Sequence, residues 1–207
     1  MAESFVNMTE GSGKKAHTFQ RVIGANTVED EVVILGEHYL AEYVATPAAV
    51  STATAASHLA QLMAGSSLNV YIRSIEIYQL AAVTTAAIDE IDLFRLTTAG
   101  TGGTVVTPLP LDTTDAASGA TCMTLPTVKG TEAANPIYRI SAQFTQTIAT
   151  QSGGKQGSLL AFWDFDTLHG KALRIAAGTA NGVCIKNITA RAAGTVFTVW
   201  RFTEANF

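Results

Sequence analysis

Apolar and polar positions alternate with a period of two along most of the chain, and almost no window shows the 3.6-residue period of a helix. The clearest strand is LNVYIRSIEIYQL, Leu68 to Leu80. Val70 and Ile72 share one parity, whereas Ile75 and Ile77 share the other. A period-two pattern that changes phase predicts a bulge or sharp twist near Arg73 and Ser74. Such a bend lets one strand serve both sheets of a sandwich.

The short apolar run FQRVI opens the ordered part of the chain near Phe19. Further strands are expected at Glu31 to Leu35, His38 to Thr46, Ile91 to Thr98, Ile137 to Thr147 and Ser158 to Phe165. Three more follow at Lys171 to Gly178, Gly182 to Ala190 and Thr195 to Thr203, punctuated by Gly178, Asn181-Gly182 and Gly194. The segment His58 to Ala64 fits a strand or a two-turn helix capped by Ser57 about equally well. Residues 99 to 136 hold Pro108, Pro110, Pro126 and Pro136, four of the five prolines, and read as a long irregular region that carries function or wraps over a neighbour. Residues 1 to 17 are polar, contain Gly11-Ser12-Gly13 and read as an arm. With about eight to ten short strands, the expected class is all-β. The expected architecture is a two-sheet antiparallel sandwich, jelly-roll-like, forming one domain over residues 18 to 207 with an extended N-terminal arm over 1 to 17 and a long Pro/Gly-rich loop region.

Composition narrows the function. Charged residues make up 14% of the 207, against an average of about 25%. A surface of Thr and small uncharged side chains suits packing against other subunits, where charge is depleted. The alternative is a monomer kept soluble by Thr, Ser and Asn. A net charge of −4 with scattered basic residues gives no electrostatic footprint for nucleic acid. Tyr43 to Ile72 lacks Asp, Glu, Lys and Arg, but Pro47, His58, Gln61 and Asn69 cut its apolar runs too short to span a bilayer. The N-terminus has no apolar core of the length a secretory signal needs. No membrane partner is expected.

Several constellations invite a catalytic reading. TTAGTGGT, residues 97 to 104, resembles a phosphate loop through Gly100, Gly102 and Gly103. But Val105 stands where a third spaced glycine belongs, and no Lys occurs between Arg95 and Lys129. The following TVVTPLPLD cannot supply a helix N-terminus, so the loop reads as a bend between strands. Asp164 and Asp166 in WDFD, followed by His169, offer a hard-cation site or a carboxylate pair for a hydrolase, against a solvated strand face. Glu90 and Asp92 flank Ile91 in the same way and are expected on an exposed face, with Ile91 and Leu93 turned inward. His17, His38, His58 and His169 show no metal spacing. Cys122 and Cys184 are expected as buried free thiols, a disulfide between them being the alternative. Phe162, Trp163 and Phe165, and likewise Phe197, Trp200, Phe202 and Phe207, are expected in the core. Exposed, they would be sugar-stacking platforms or subunit-interface anchors, and Trp163 with Asp164 and Asp166 would serve a carbohydrate-binding module of a tail or fibre. No catalytic residue, metal ligand or cofactor emerges.

The stretches LFRLTTAGTGGTVVTPLPLDTTDAASGATCMTLPTVKGTE (93 to 132) and KALRIAAGTANGVCIKNITA (171 to 190) resemble virion proteins encoded by tailed bacteriophages, among them jelly-roll capsid decoration (cement) proteins. The similarity runs from about Gly36 to the C-terminus. It implies a non-enzymatic β-sandwich, commonly homotrimeric, made in the host cytoplasm and seated on the outer capsid, where it clamps the major capsid protein. It transfers no active-site residues. From their position in the chain, the residues expected to touch capsid or subunit are Lys14 and Lys15 in the arm, Phe19 and Arg21 where the arm joins the fold, and Thr104, Val105, Pro108 and Leu111 in the long loop.

Overall fold

The computed structural model describes residues 18–23, 26–31, 40–145, 158–165 and 171–206. The chain divides into two compact units, Met1–Tyr39 and Leu40–Phe207. In the first, β1 (Thr18–Ile23) and β2 (Asn26–Glu31) form an antiparallel hairpin, with Phe19 opposite Asp30 and Arg21 opposite Val28. Among the described residues these two strands pair only with each other. The second strand of the hairpin is the polar NTVEDE; of the expected strand Glu31 to Leu35, all but Glu31 lies outside the described residues.

The second unit begins with β3 (Glu42–Ala45), β4 (Val50–Ser51), β5 (His58–Met63), β6 (Asn69–Ala81) and β7 (Ala87–Leu96). The long excursion that follows holds three short strands, β8 (Thr104–Val106), β9 (Leu109–Pro110) and β10 (Thr121–Thr124). Then come β11 (Tyr138–Phe144), β12 (Ser158–Asp164), β13 (Leu173–Ile175), β14 (Gly182–Asn187) and β15 (Thr195–Ala205). One sheet runs β11-β7-β14-β5-β10-β8 and the other β12-β6-β15-β3-β9, with β13 also on β6 and β4 also on β15. Every pairing is antiparallel, and the two sheets pack face to face as a sandwich.

The phase change in β6 is a bulge. Arg201 of β15 stands opposite Ser74 and Phe202 opposite Ile72, so Arg73 is the extra residue. Absorbing it returns Val70, Ile72, Ile75 and Ile77 to one face, and all four are fully buried in the core. The expected switch between sheets does not occur. Because the bulge restores the phase, β6 stays in a single sheet along its whole length, between β15 on one side and β12 and β13 on the other.

His58 to Ala64 is strand, not helix, and all six residues of β5 are buried. A strand covered on both faces loses its apolar–polar alternation, which is why its pattern was ambiguous. The core itself is built on Trp200, Phe202, Phe165 and Phe144 with isoleucines and leucines of both sheets. The Trp200 indole N–H is satisfied inside it by Thr198 Oγ1 at 2.9 Å.

Candidate functional site

β8 and β9 are joined by Thr107 and Pro108 alone, yet they border different sheets. The chain therefore steps from one sheet to the other here and closes one side of the sandwich. Leu111 N donates to Glu42 O at 2.8 Å, and Val44 stands opposite Leu109, so the backbone groups of 109 and 111 point toward β3. Those of Pro108 and Pro110 point the other way. Proline has no N–H, so the outer edge of β9 offers acceptors and no donor at either residue.

Thr104 and Val105 on β8 and Leu111 just after β9 are exposed. Pro108 is buried, unlike the other three loop residues expected to make contact. Leu109, which position alone did not single out, is the more exposed residue at 68%. Phe19 and Arg21 lie on β1. Lys14 and Lys15 lie outside the described residues.

The outward face of the seven-stranded sheet carries a second apolar area. Leu159, Tyr78 and Phe197 form one cross-strand row, and Phe162, Glu76 and Val199 the next. The Tyr78 and Phe197 rings stack with centroids 5.0 Å apart. A register shift between Leu159 and Ala161 turns Leu160 into the core and leaves Leu159 and Phe162 exposed. Trp163 points inward and is only 6% exposed, so the sugar-stacking platform built on it is not formed. Asp164 is half-buried, while Asp166 and His169 lie outside the described residues.

The outward face of the six-stranded sheet is covered over β5 and β14. After β7 the chain leaves the sheet and, with the return segment, forms a narrow strap. Its ladder runs from Leu96 opposite Glu132 to Thr101 opposite Val128, with Thr97 N bonded to Thr131 O at 2.9 Å. The TTAGTGGT bend is one limb of this strap. It is pinned where Gly100 meets the buried Gln61 of β5, and again where Lys129 Nζ donates to Ala56 O at 3.1 Å. Beneath it lie Met63, Phe94, Leu96 and Cys184, a small apolar cluster separate from the main core.

At the strap's base three ionisable groups meet. Glu132 Oε1 accepts from His58 Nε2 at 2.8 Å, and Oε2 accepts from Lys186 Nζ at 2.7 Å. Lys186 Nζ also sits 5.0 Å above the Phe94 ring, a cation–π contact. The His58 side chain is fully buried, and its Nδ1 has no hydrogen-bond partner among the described residues. Burial lowers the His58 pKa despite the bond from Glu132, and the charges of Lys129 and Lys186 push the same way. Burial alone would raise Glu132, but hydrogen bonds from Lys186 and His58, with their charges, leave it below the usual range. Because a carboxylate only accepts, the neutral imidazole carries its proton on Nε2 and presents a bare lone pair at Nδ1.

Next in the same cross-strand row is Asp92, opposite Lys186 and opposite Arg139. Contrary to the expected exposed face, Asp92 is fully buried, held at both oxygens by Arg139 at 3.1 Å, whereas Glu90 is half-buried. Ile91 and Leu93 face the core as expected.

Sequence reasoning missed this cluster. His58 and Glu132 are separated by 74 positions, and Lys186 and Glu132 by 54, so no local spacing marks them. Both cysteines are free and buried, and burial pushes both thiols up to about 12, far from nucleophilic. Among the described residues no three His, Cys, Asp or Glu side chains are grouped so as to hold a metal ion. No family model, no curated protein and no solved structure matches this chain.

Proposed function

We propose that the protein is a non-enzymatic structural component of a tailed-bacteriophage virion: a decoration protein that binds the outside of the assembled head as a homotrimer and braces the major capsid protein. The observation that carries this reading is the exposed pair Leu109 and Leu111, with exposed Val105 on the neighbouring strand β8, at a strand whose outward donors two prolines remove. Clustered exposed apolar side chains mark protein–protein contact. An edge without donors resists another strand but accepts side chains, which suits docking onto a preformed shell. This edge falls within residues 93 to 132, the segment that resembles virion proteins. Binding only the assembled shell stabilises that shell by mass action.

The hairpin of β1 and β2 is the second contact in this proposal. A two-stranded hairpin is marginal in water on its own. Contact with the capsid through Phe19 and Arg21, and through Lys14 and Lys15 ahead of them, would add the missing burial.

Sedimentation of the purified protein, alone and with isolated heads, tests the reading. A stable trimer that co-sediments with heads is expected, and a Leu109→Asp, Leu111→Asp variant with unchanged circular dichroism should bind at least about tenfold more weakly. A monomer without affinity for heads overturns it.

A further inference from the structure

We propose that His58, Glu132 and Lys186 form an acid-released latch on the strap, and that opening the latch uncovers the apolar cluster of Met63, Phe94, Leu96 and Cys184.

The geometry makes this device. The strap, residues 97–101 and 128–132, is tied to the sheet at few points. One of them is the Glu132 carboxylate, bound by His58 of β5 and Lys186 of β14. The latch works only while the imidazole is neutral. A second proton on His58 would sit on Nδ1, in a buried position with no acceptor among the described residues. A buried donor left unpaired is expensive, more so when charged. Two cations, Lys129 on the strap and Lys186 on β14, oppose that proton further. Glu132 favours it, but its carboxylate is already shared with Lys186. Asp92, the carboxylate beside Lys186 on β7, is held at both oxygens by Arg139 of β11. His58 can therefore take its second proton at ordinary pH only by reaching water, and the strap stands in the way. Lifting the strap lets the imidazole ionise, so acid draws the equilibrium toward the lifted form. Protonating Glu132 at lower pH then removes the negative charge that holds both partners.

The two cysteines report the motion. Cys184 lies under the strap, whereas Cys122 points into the main core. Lifting the strap exposes the first and not the second. This inference stands apart from the proposed virion role and holds or fails without it.

The experiment labels the intact protein with 4,4′-dithiodipyridine, which reacts with thiols in acid, and follows each cysteine by peptide mass. In the open form His58 titrates near 6.5, and each pH unit below that shifts a one-proton equilibrium by up to tenfold. Cys184 labelling, corrected for the reagent's own pH dependence, should rise about tenfold from pH 7.5 to pH 5 while Cys122 stays protected. Protection of the Gly100 and Thr131 amides, taken relative to the intrinsic exchange rate at each pH, should fall in parallel. Glu132→Gln should label quickly at Cys184 already at pH 7.5, and His58→Asn should lose the rise between pH 7 and 5.5. Flat labelling of Cys184, or Cys122 and Cys184 reacting together, overturns the latch. The wild-type measurement decides even if a variant fails to fold.

Discussion

Gly100 and Gln61 bind each other twice: Gly100 N donates to Gln61 Oε1 at 3.1 Å, and Gln61 Nε2 donates to Gly100 O at 3.3 Å. The side chain of β5 thus serves as a strand partner for one residue of the strap, and both of its polar ends are satisfied in a buried place. A Cβ at residue 100 would lie 2.8 Å from Gln61 Oε1, 2.8 Å from Pro126 Cβ and 2.9 Å from Val128 O. Gly100→Ala should therefore cost about 1–3 kcal/mol by overpacking. Urea denaturation of the variant checks this, and exchange of the residue-100 amide should be the most affected.

Pro110 keeps an edge silent. Replacing it with alanine restores an outward N–H on β9 while leaving the inward bonds of Leu109 and Leu111 in place. The fold should change in stability by less than about 1 kcal/mol. Static light scattering should instead show association that grows with protein concentration. No gain over wild type at equal concentration would argue against the edge-blocking role.

Asp89, almost fully buried at the end of β7, is gripped at both oxygens by Arg191. Removing the guanidinium leaves an uncompensated buried carboxylate. Arg191→Met should cost about 3 kcal/mol or more. The double variant Asp89→Leu, Arg191→Met should recover much of that loss, as read from thermal unfolding.

Stability should fall on the acid side. His58 has a folded pKa below its ordinary value through burial, so the unfolded chain binds the proton more readily. Its contribution is complete above about pH 6.5 and is lost as pH drops toward the folded value. Glu132, also lowered on balance, contributes above its ordinary range near 4.5 and loses that contribution as pH falls through its folded value. The urea midpoint should be flat from about pH 8 to 7 and decline from 6.5 downward, and His58→Asn should remove the first part of the decline. A midpoint independent of pH between 7 and 4 contradicts the assignment.

Much of the fold was written locally. Period-two alternation gave β12 and β15 nearly in place, since each has one face on the core and one turned outward, and the larger part of β7, β11 and β14. The change of parity at Arg73 gave the bulge, because parity is a property of neighbours in sequence. The absence of alternation in HLAQLM carried no such message, because burial on the second face comes from a strap more than thirty positions away in the chain.

What sequence alone determined, then, is most of the longer strands, the sandwich class, the buried thiols and the core places of Trp163, Phe165, Trp200 and Phe202. All of these follow from short-range period and from burial of apolar side chains, whereas Phe162 and Phe197, expected in the core, lie on the outward face. Tertiary structure decided the rest. Which face of each sheet is covered, whether Pro108 is buried, and whether Asp92 meets water depend on register between strands. The meeting of His58, Glu132 and Lys186 depends on it too. A hydrogen bond acts over about 3 Å while these residues lie 54 and 74 positions apart, so only the folded chain could bring the latch together.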